Sequence, residues 1–166
     1  MAERREFIGR LIVAGPTRTM TGEANGYVVE AEAIRRAVAE GLFRGLACFA
    51  DHAAGGESPA VRRLVGVWHD VVYDEGGAAA VGRLRAYDTA ETRPVVELLE
   101  QWLGDQMEGQ PDETAGPDLG VSIVFYPHLA GDGRTVRGMA MVESADLVMF
   151  PASGGSRIVK RVTSDE

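Results

Sequence analysis

At 166 residues, with 45% apolar and 25% charged side chains, the chain is sized for one domain with its own core. A net charge of −8 argues against a general nucleic-acid binder, which carries a basic face, and no apolar run reaches the roughly 18 residues of a transmembrane helix. The single cysteine excludes a disulfide within the chain. The first residues are mostly charged and no long apolar stretch follows, so a soluble, cytoplasmic protein without a signal peptide is expected.

In chain order, residues 7–13 read as a strand that ends at Gly15-Pro16, and residues 19–25 as a polar loop. After Gly26-Tyr27, Ala31, Ile34, Val38 and Leu42 recur at spacings of three and four, which predicts a helix over about 30–43. The run 46–50 predicts a short buried strand that ends at Asp51-His52, followed by a loop over 53–59 containing Gly55-Gly56 and Pro59. Residues 64–74 predict a strand with Val65, Val67, His69, Val71 and Tyr73 on one face. It turns at Glu75-Gly76-Gly77 and pairs with a strand over 78–87.

Asp88-Thr89 marks a helix start. Val95, Val96, Leu98, Leu99, Trp102 and Leu103 form its apolar face, with Pro94 tolerable in the first turn. Residues 104–117 are acidic and rich in Gly and Pro and predict a surface loop. Strands are expected at 119–126, 135–141, 145–150 and 156–162, with a turn at Gly131-Asp132-Gly133. The expected fold is α+β. It is a small, mostly antiparallel β-barrel or curled sheet of about seven strands with two or more flanking helices, in one domain over 1–166.

The three histidines, His52, His69 and His128, show no zinc-ligand spacing. The glycine-rich places match neither a P-loop nor a dinucleotide-binding pattern, so no metal or cofactor is expected. Acyl transfer does have candidates. It needs a nucleophile, a base and a group that orients the base. His52 sits where a buried strand meets a glycine-rich loop. Ser122 lies inside the apolar run Gly120-Val121-Ser122-Ile123-Val124-Phe125, and burying a hydroxyl without a partner costs roughly 1–3 kcal/mol. Asp146 lies in the apolar run Ala145-Asp146-Leu147-Val148, where a buried carboxylate must be paired. Plain structural roles stand beside these: a backbone-bonded serine, a structural histidine, an outward-facing Asp146, and a core role for Cys48.

The order of the motifs adds to this. An Asn25-Gly26-Tyr27 element leads into a helix, and a strand ends in Asp51-His52. A hairpin and a Thr-containing helix start follow, then Gly120-Val121-Ser122 and the closing run Ser144 to Ala152 with Leu147-Val148 and Pro151-Ala152. In this order, from about Asn25 to Arg157, the chain resembles the prohead (head-maturation) proteases of tailed phages, whose fold is related to the herpesvirus assemblins. The resemblance implies a serine endopeptidase with Ser122 as nucleophile, His52 as general base and Asp146 as third member. Glu143, or no acid at all, is the alternative for that third place.

The resemblance implies further that the substrates are the phage's own scaffold and major capsid proteins and the protease itself, cleaved inside assembling proheads in the host cytoplasm. Neither nucleic acid nor membrane is expected as a partner, and self-association stays open. A catalytically silent scaffold or capsid-assembly domain of the same fold is the rival reading.

Overall fold

The structure is a computed structural model and describes residues 5–19, 23–53, 57–107 and 119–163. In chain order its main elements are β1 (Glu6–Val13), β2 (Gly15–Arg18), β3 (Ala24–Val29), α1 (Ala31–Ala39), β4 (Leu46–Phe49), β5 (Leu64–Asp74), β6 (Ala79–Ala86), α2 (Arg93–Met107), β7 (Leu119–Leu129), β8 (Thr135–Met149) and β9 (Ile158–Val162). The strands join in one curled sheet in the order β2-β3-β8-β4-β5-β6-β1-β9, with β7 on β8.

β8 organises the sheet. β7 lies antiparallel along one edge of it, from Leu119 opposite Met149 to Leu129 opposite Val136. The other edge takes β3 and β4, both parallel to it: Val28 and Val29 meet Thr135 and Val136, and Ala47 meets Ser144. From β4 the pairing continues antiparallel through β5, β6, β1 and β9.

The concave side holds the core. Phe7, Leu11, Cys48, Trp68, Leu84, Val121, Ala145 and Leu147 supply the sheet's share, and Ile34 and Ala37 of α1 and Val96 and Leu99 of α2 cover it. Trp68 Nε1–H donates to the Ala145 carbonyl at 2.9 Å, which satisfies its one polar atom inside the core.

α1 packs through Ala33, Ile34 and Ala37. It ends earlier than the apolar spacing predicts, because Gly41 adopts φ 76°. Gly41 N–H donates to the Val38 carbonyl and Leu42 N–H to the Ala37 carbonyl, the paired bonds of a Schellman stop. Leu42 therefore belongs to the turn that follows the helix.

The sheet differs from the sequence expectation in several places. It is curled but not a closed barrel: β7 approaches the segment before β9 through the Val121 N–H bond to the Ser156 carbonyl, at 3.0 Å, with no ladder between β7 and β9 among the described residues. The described residues form nine strands where about seven were expected. Gly15-Pro16 does not end the strand region; it opens β2, an edge strand, where a missing N–H is tolerated. Of the loop expected over 19–25, Ala24 and Asn25 belong to β3, whose residues before Val29 are all exposed and so carry no apolar alternation, while 20–22 lie outside the described residues.

The two strands expected at 135–141 and 145–150 are one strand, β8, with register shifts along it. On β5, Trp68 is in the core, and a bulge between His69 and Val72, with Asp70 at φ 51°, breaks the expected single face. The helix before the acidic segment runs on through Gly104 to Met107, which were expected in the loop; residues 108–117 lie outside the described set. No helix among the described residues is long and apolar enough to cross a membrane.

Candidate active site

Strand geometry assigns the faces of β8. Successive side chains point to opposite sides, so with Ala145 and Leu147 in the core, Ser144 and Asp146 point away from it. Both are nevertheless buried, with Ser144 at 3% and Asp146 at 2% exposure, which means that something must satisfy them. The partners are at hand. Phe49 N–H donates to Asp146 Oδ1 at 3.1 Å, so the carboxylate takes a place in the β4–β8 ladder. Ser144 Oγ–H donates to Asp146 Oδ2 at 3.0 Å, and His52 Nδ1 lies 2.7 Å from the same oxygen.

The chain leaves β4 in a way that sets His52 over this carboxylate. Ala50 N–H donates to the Arg63 carbonyl and Asp51 N–H to the Leu147 carbonyl, which pins the two residues before the histidine. Asp51 itself has φ 65°, a left-handed conformation that Asp tolerates better than most residues. The reversal there carries His52 off the strand direction. Its side chain is 38% exposed while Asp146 is 2% exposed, so the pair leads from the interior to the surface. With Asp146 as carboxylate, Nδ1–H is the donor, and Nε2 is left as a lone-pair acceptor.

Ser122 of β7 is the residue directly opposite Asp146 in the antiparallel register. Residues so placed carry their side chains on the same face with Cβ atoms roughly 4.5–5.5 Å apart, and Ser122 is half-buried there. Among the described residues no hydrogen bond links Ser122 Oγ to the His52 ring. The structure thus joins His52 to Asp146 directly and brings Ser122 to the same face by register.

Gly120, two residues before Ser122, lies on that face too. A Cβ there would sit 2.4 Å from Pro151 Cγ and 2.5 Å from the Ser156 carbonyl oxygen. The glycine of the Gly-x-Ser run is therefore required by the close approach of the segment after β8. Gly120→Ala is expected to destabilise the domain by about 1–3 kcal/mol, through displacement of β7 or of Pro151. Thermal melting checks this, and an unchanged melting temperature would mean that the two segments can part at no cost.

No family model, curated protein or solved structure matches the chain.

The remaining candidates lie elsewhere or are unsuited to attack. Glu143 is exposed, and its Oε1 accepts the Tyr126 hydroxyl at 2.8 Å, a bond that also pushes the Tyr126 phenol up from its ordinary value. Cys48 is fully buried; desolvation, with Asp146 adding to it, drives its thiol far above the ordinary range, so no thiolate is available there. His69 Nδ1 is 2.8 Å from Asp70 Oδ2, and its Nε2 is 3.5 Å from Glu6, a separation without hydrogen-bond geometry that leaves Nε2 buried and unbonded. His128 is exposed on β7 beside Gly138. No group of three or more His, Cys, Asp or Glu among the described residues is placed to hold a metal ion.

Two contributors were not identified as such from the sequence: the Ser144 hydroxyl and the Phe49 N–H, both bonded to Asp146. Ser144 carried a signal, a serine two residues before a carboxylate in an apolar strand. The Phe49 bond depends on register between β4 and β8 and leaves no trace in composition.

Proposed function

We propose that the chain is a serine endopeptidase in which Ser122 attacks, His52 accepts and returns the proton, and Asp146 orients His52. The observation that carries the reading is the 2.7 Å contact between His52 Nδ1 and the buried Asp146 carboxylate, with Ser122 opposite Asp146 on the same face. A histidine held this way presents Nε2 as a base towards the surface, which is what activation of a hydroxyl requires.

In the first step the Ser122 proton passes to His52 Nε2 as Oγ bonds to the scissile carbonyl carbon. The bond to the amine then breaks, and the amine leaves with that proton. Water, deprotonated by the same nitrogen, hydrolyses the acyl-enzyme and regenerates the Ser122 hydroxyl. Phe49 N–H and the Ser144 hydroxyl act on Asp146, holding Oδ2 towards the ring. The resemblance to prohead proteases supplies the substrate proposal: phage scaffold and major capsid proteins, and the chain itself, during prohead maturation.

The missing Ser122–His52 hydrogen bond favours the rival, a silent assembly domain. Hydrogen bonds of this kind are often long without substrate and tighten only in the complex. Labelling with a fluorophosphonate separates the two readings. Stoichiometric modification mapped by mass spectrometry to Ser122, and dependent on the folded state, is the expected result. A folded protein that takes up no label, and leaves the phage scaffold protein uncut, supports the silent domain.

A further inference from the structure

A concavity lies between α2 and the start of β9. It has a volume of about 320 Å³ and is lined by Arg10, Trp102, Leu103, Gln106, Arg157 and Ile158 among others. That volume is at the low end of the roughly 300–1,000 Å³ typical of small-ligand pockets. Its floor is apolar: Leu103 and Ile158 are buried core residues, and Trp102 is 8% exposed.

Two arginines line the concavity. Arg10 N–H donates to the Arg157 carbonyl at 2.9 Å, so the backbone fixes the two residues side by side. Both side chains are exposed, and among the described residues neither guanidinium has a hydrogen bond or ion pair. Six other arginines find carboxylates: Arg5 and Arg161 at Glu100, Arg35 at Glu32 and Glu75, Arg83 at Glu6, Arg93 at Asp88 and Arg137 at Glu30; Arg36, Arg44, Arg62, Arg63, Arg85 and Arg134 pair with none among the described residues. Arg10 and Arg157 are set apart by lining one cavity together. Like charges held side by side repel, and a bound anion reverses that. Guanidinium groups match a carboxylate in planar, two-point fashion.

The geometry points to a binding site in this cleft for a carboxylate carried on an apolar group, with the carboxylate on Arg10 and Arg157 and the apolar part on Trp102. The Gln106 amide is a further polar group in the lining. Two sources share this chemistry, a free aryl carboxylic acid and an acidic residue beside an apolar one in a peptide. The site does not depend on the protease reading, since it uses none of Ser122, His52 or Asp146.

Tryptophan emission reads the site. Of the two tryptophans, Trp68 is wholly buried and bonded to Ala145, so a ligand in the cleft acts on Trp102. The probes are 3-phenylpropionate and the blocked peptide acetyl-Phe-Glu-amide, with 3-phenylpropionamide as the neutral control. Either acid is expected to change the emission saturably, and the amide is not. Arg10→Gln and Arg157→Gln should each raise Kd about fivefold, the upper range for exposed ion pairs, and 0.5 M NaCl should weaken binding further. Tighter binding of the peptide assigns the site to peptides, and tighter binding of the free acid to small acids. Equal binding of the amide, no saturable change with either acid, or indifference to both arginine variants overturns the proposal. Should either variant fail to fold, wild-type NMR replaces it: shifts at the Arg10 and Arg157 Nε–H groups on titration support the site, and their absence rejects it.

Discussion

Ser122→Ala is expected to abolish both fluorophosphonate labelling and proteolysis while leaving the melting temperature essentially where it is. Ser122 is half-buried on the outer face of β7, and no hydrogen bond of its hydroxyl is part of the fold among the described residues. Removing that oxygen therefore leaves no buried donor stranded. His52→Ala should be nearly as damaging, because a nucleophile and its base act as a unit. In a working triad the loss of either is on the order of 10⁶-fold in kcat. His52→Ala has a structural side effect that Ser122→Ala lacks: it strips the largely buried Asp146 of one of its three partners. Its melting temperature should fall modestly while that of Ser122→Ala does not. His69→Ala, measured beside them, should retain cleavage, since His69 pairs with Asp70 on another part of the sheet. Retained cleavage in Ser122→Ala, or essentiality of His69 with a dispensable His52, would remove the assignment.

Much of this arrangement can be read from residue types, and the unread part has a common cause. Strands with a clear apolar run, β1, β4, β6 and the first part of β7, were expected where they occur, because burial on the core face leaves its mark on sequence. β2 and β3 were not, because Pro16 and a run of exposed residues from Ala24 to Val28 carry no such mark; they are held by pairing at the sheet's edge. The continuity of β8 was hidden by Glu143-Ser144, two polar residues that look like a break. Glu143 stays exposed at a register shift, and Ser144 can be buried because Asp146 accepts the hydrogen bond of its hydroxyl. Likewise Gly104 looked like a helix end, yet it lies within α2, where nothing crowds it.

The candidate site divides the same way. Asp146 declared itself as a carboxylate in an apolar run, which demands a partner, and His52 as the polar end of a buried strand. What links them is the parallel register of β4 on β8 and the reversal at Asp51, and pairing between strands about a hundred residues apart is invisible in local pattern.

Asp146 is the residue at which stability and catalysis can be separated most cleanly. In Asp146→Asn the side chain keeps its shape and one acceptor. That oxygen is expected to stay with the Phe49 N–H, because an amide NH₂ there would face another donor. The NH₂ then replaces Oδ2 and points at Ser144 and His52. Ser144 adapts, since a hydroxyl can accept. His52 can adapt only by accepting at Nδ1, which moves its proton to Nε2, the nitrogen that must receive the Ser122 proton. The wrong tautomer is thereby favoured. The expected loss in kcat is on the order of 10³–10⁴-fold with little change in KM, as for an interaction confined to the transition state. Asp146→Ala instead leaves the Phe49 N–H without its acceptor and opens a small void, at about 1–3 kcal/mol or more. For a chain of this size that lowers Tm by roughly 2–4 °C per kcal/mol. Kinetics and melting measured together on the two variants give the decision. A slow but stable Asp146→Asn beside a slow and destabilised Asp146→Ala supports the orienting role. A folded Asp146→Asn that cleaves at the wild-type rate would show that the carboxylate serves only the β4–β8 junction and that His52 works without it.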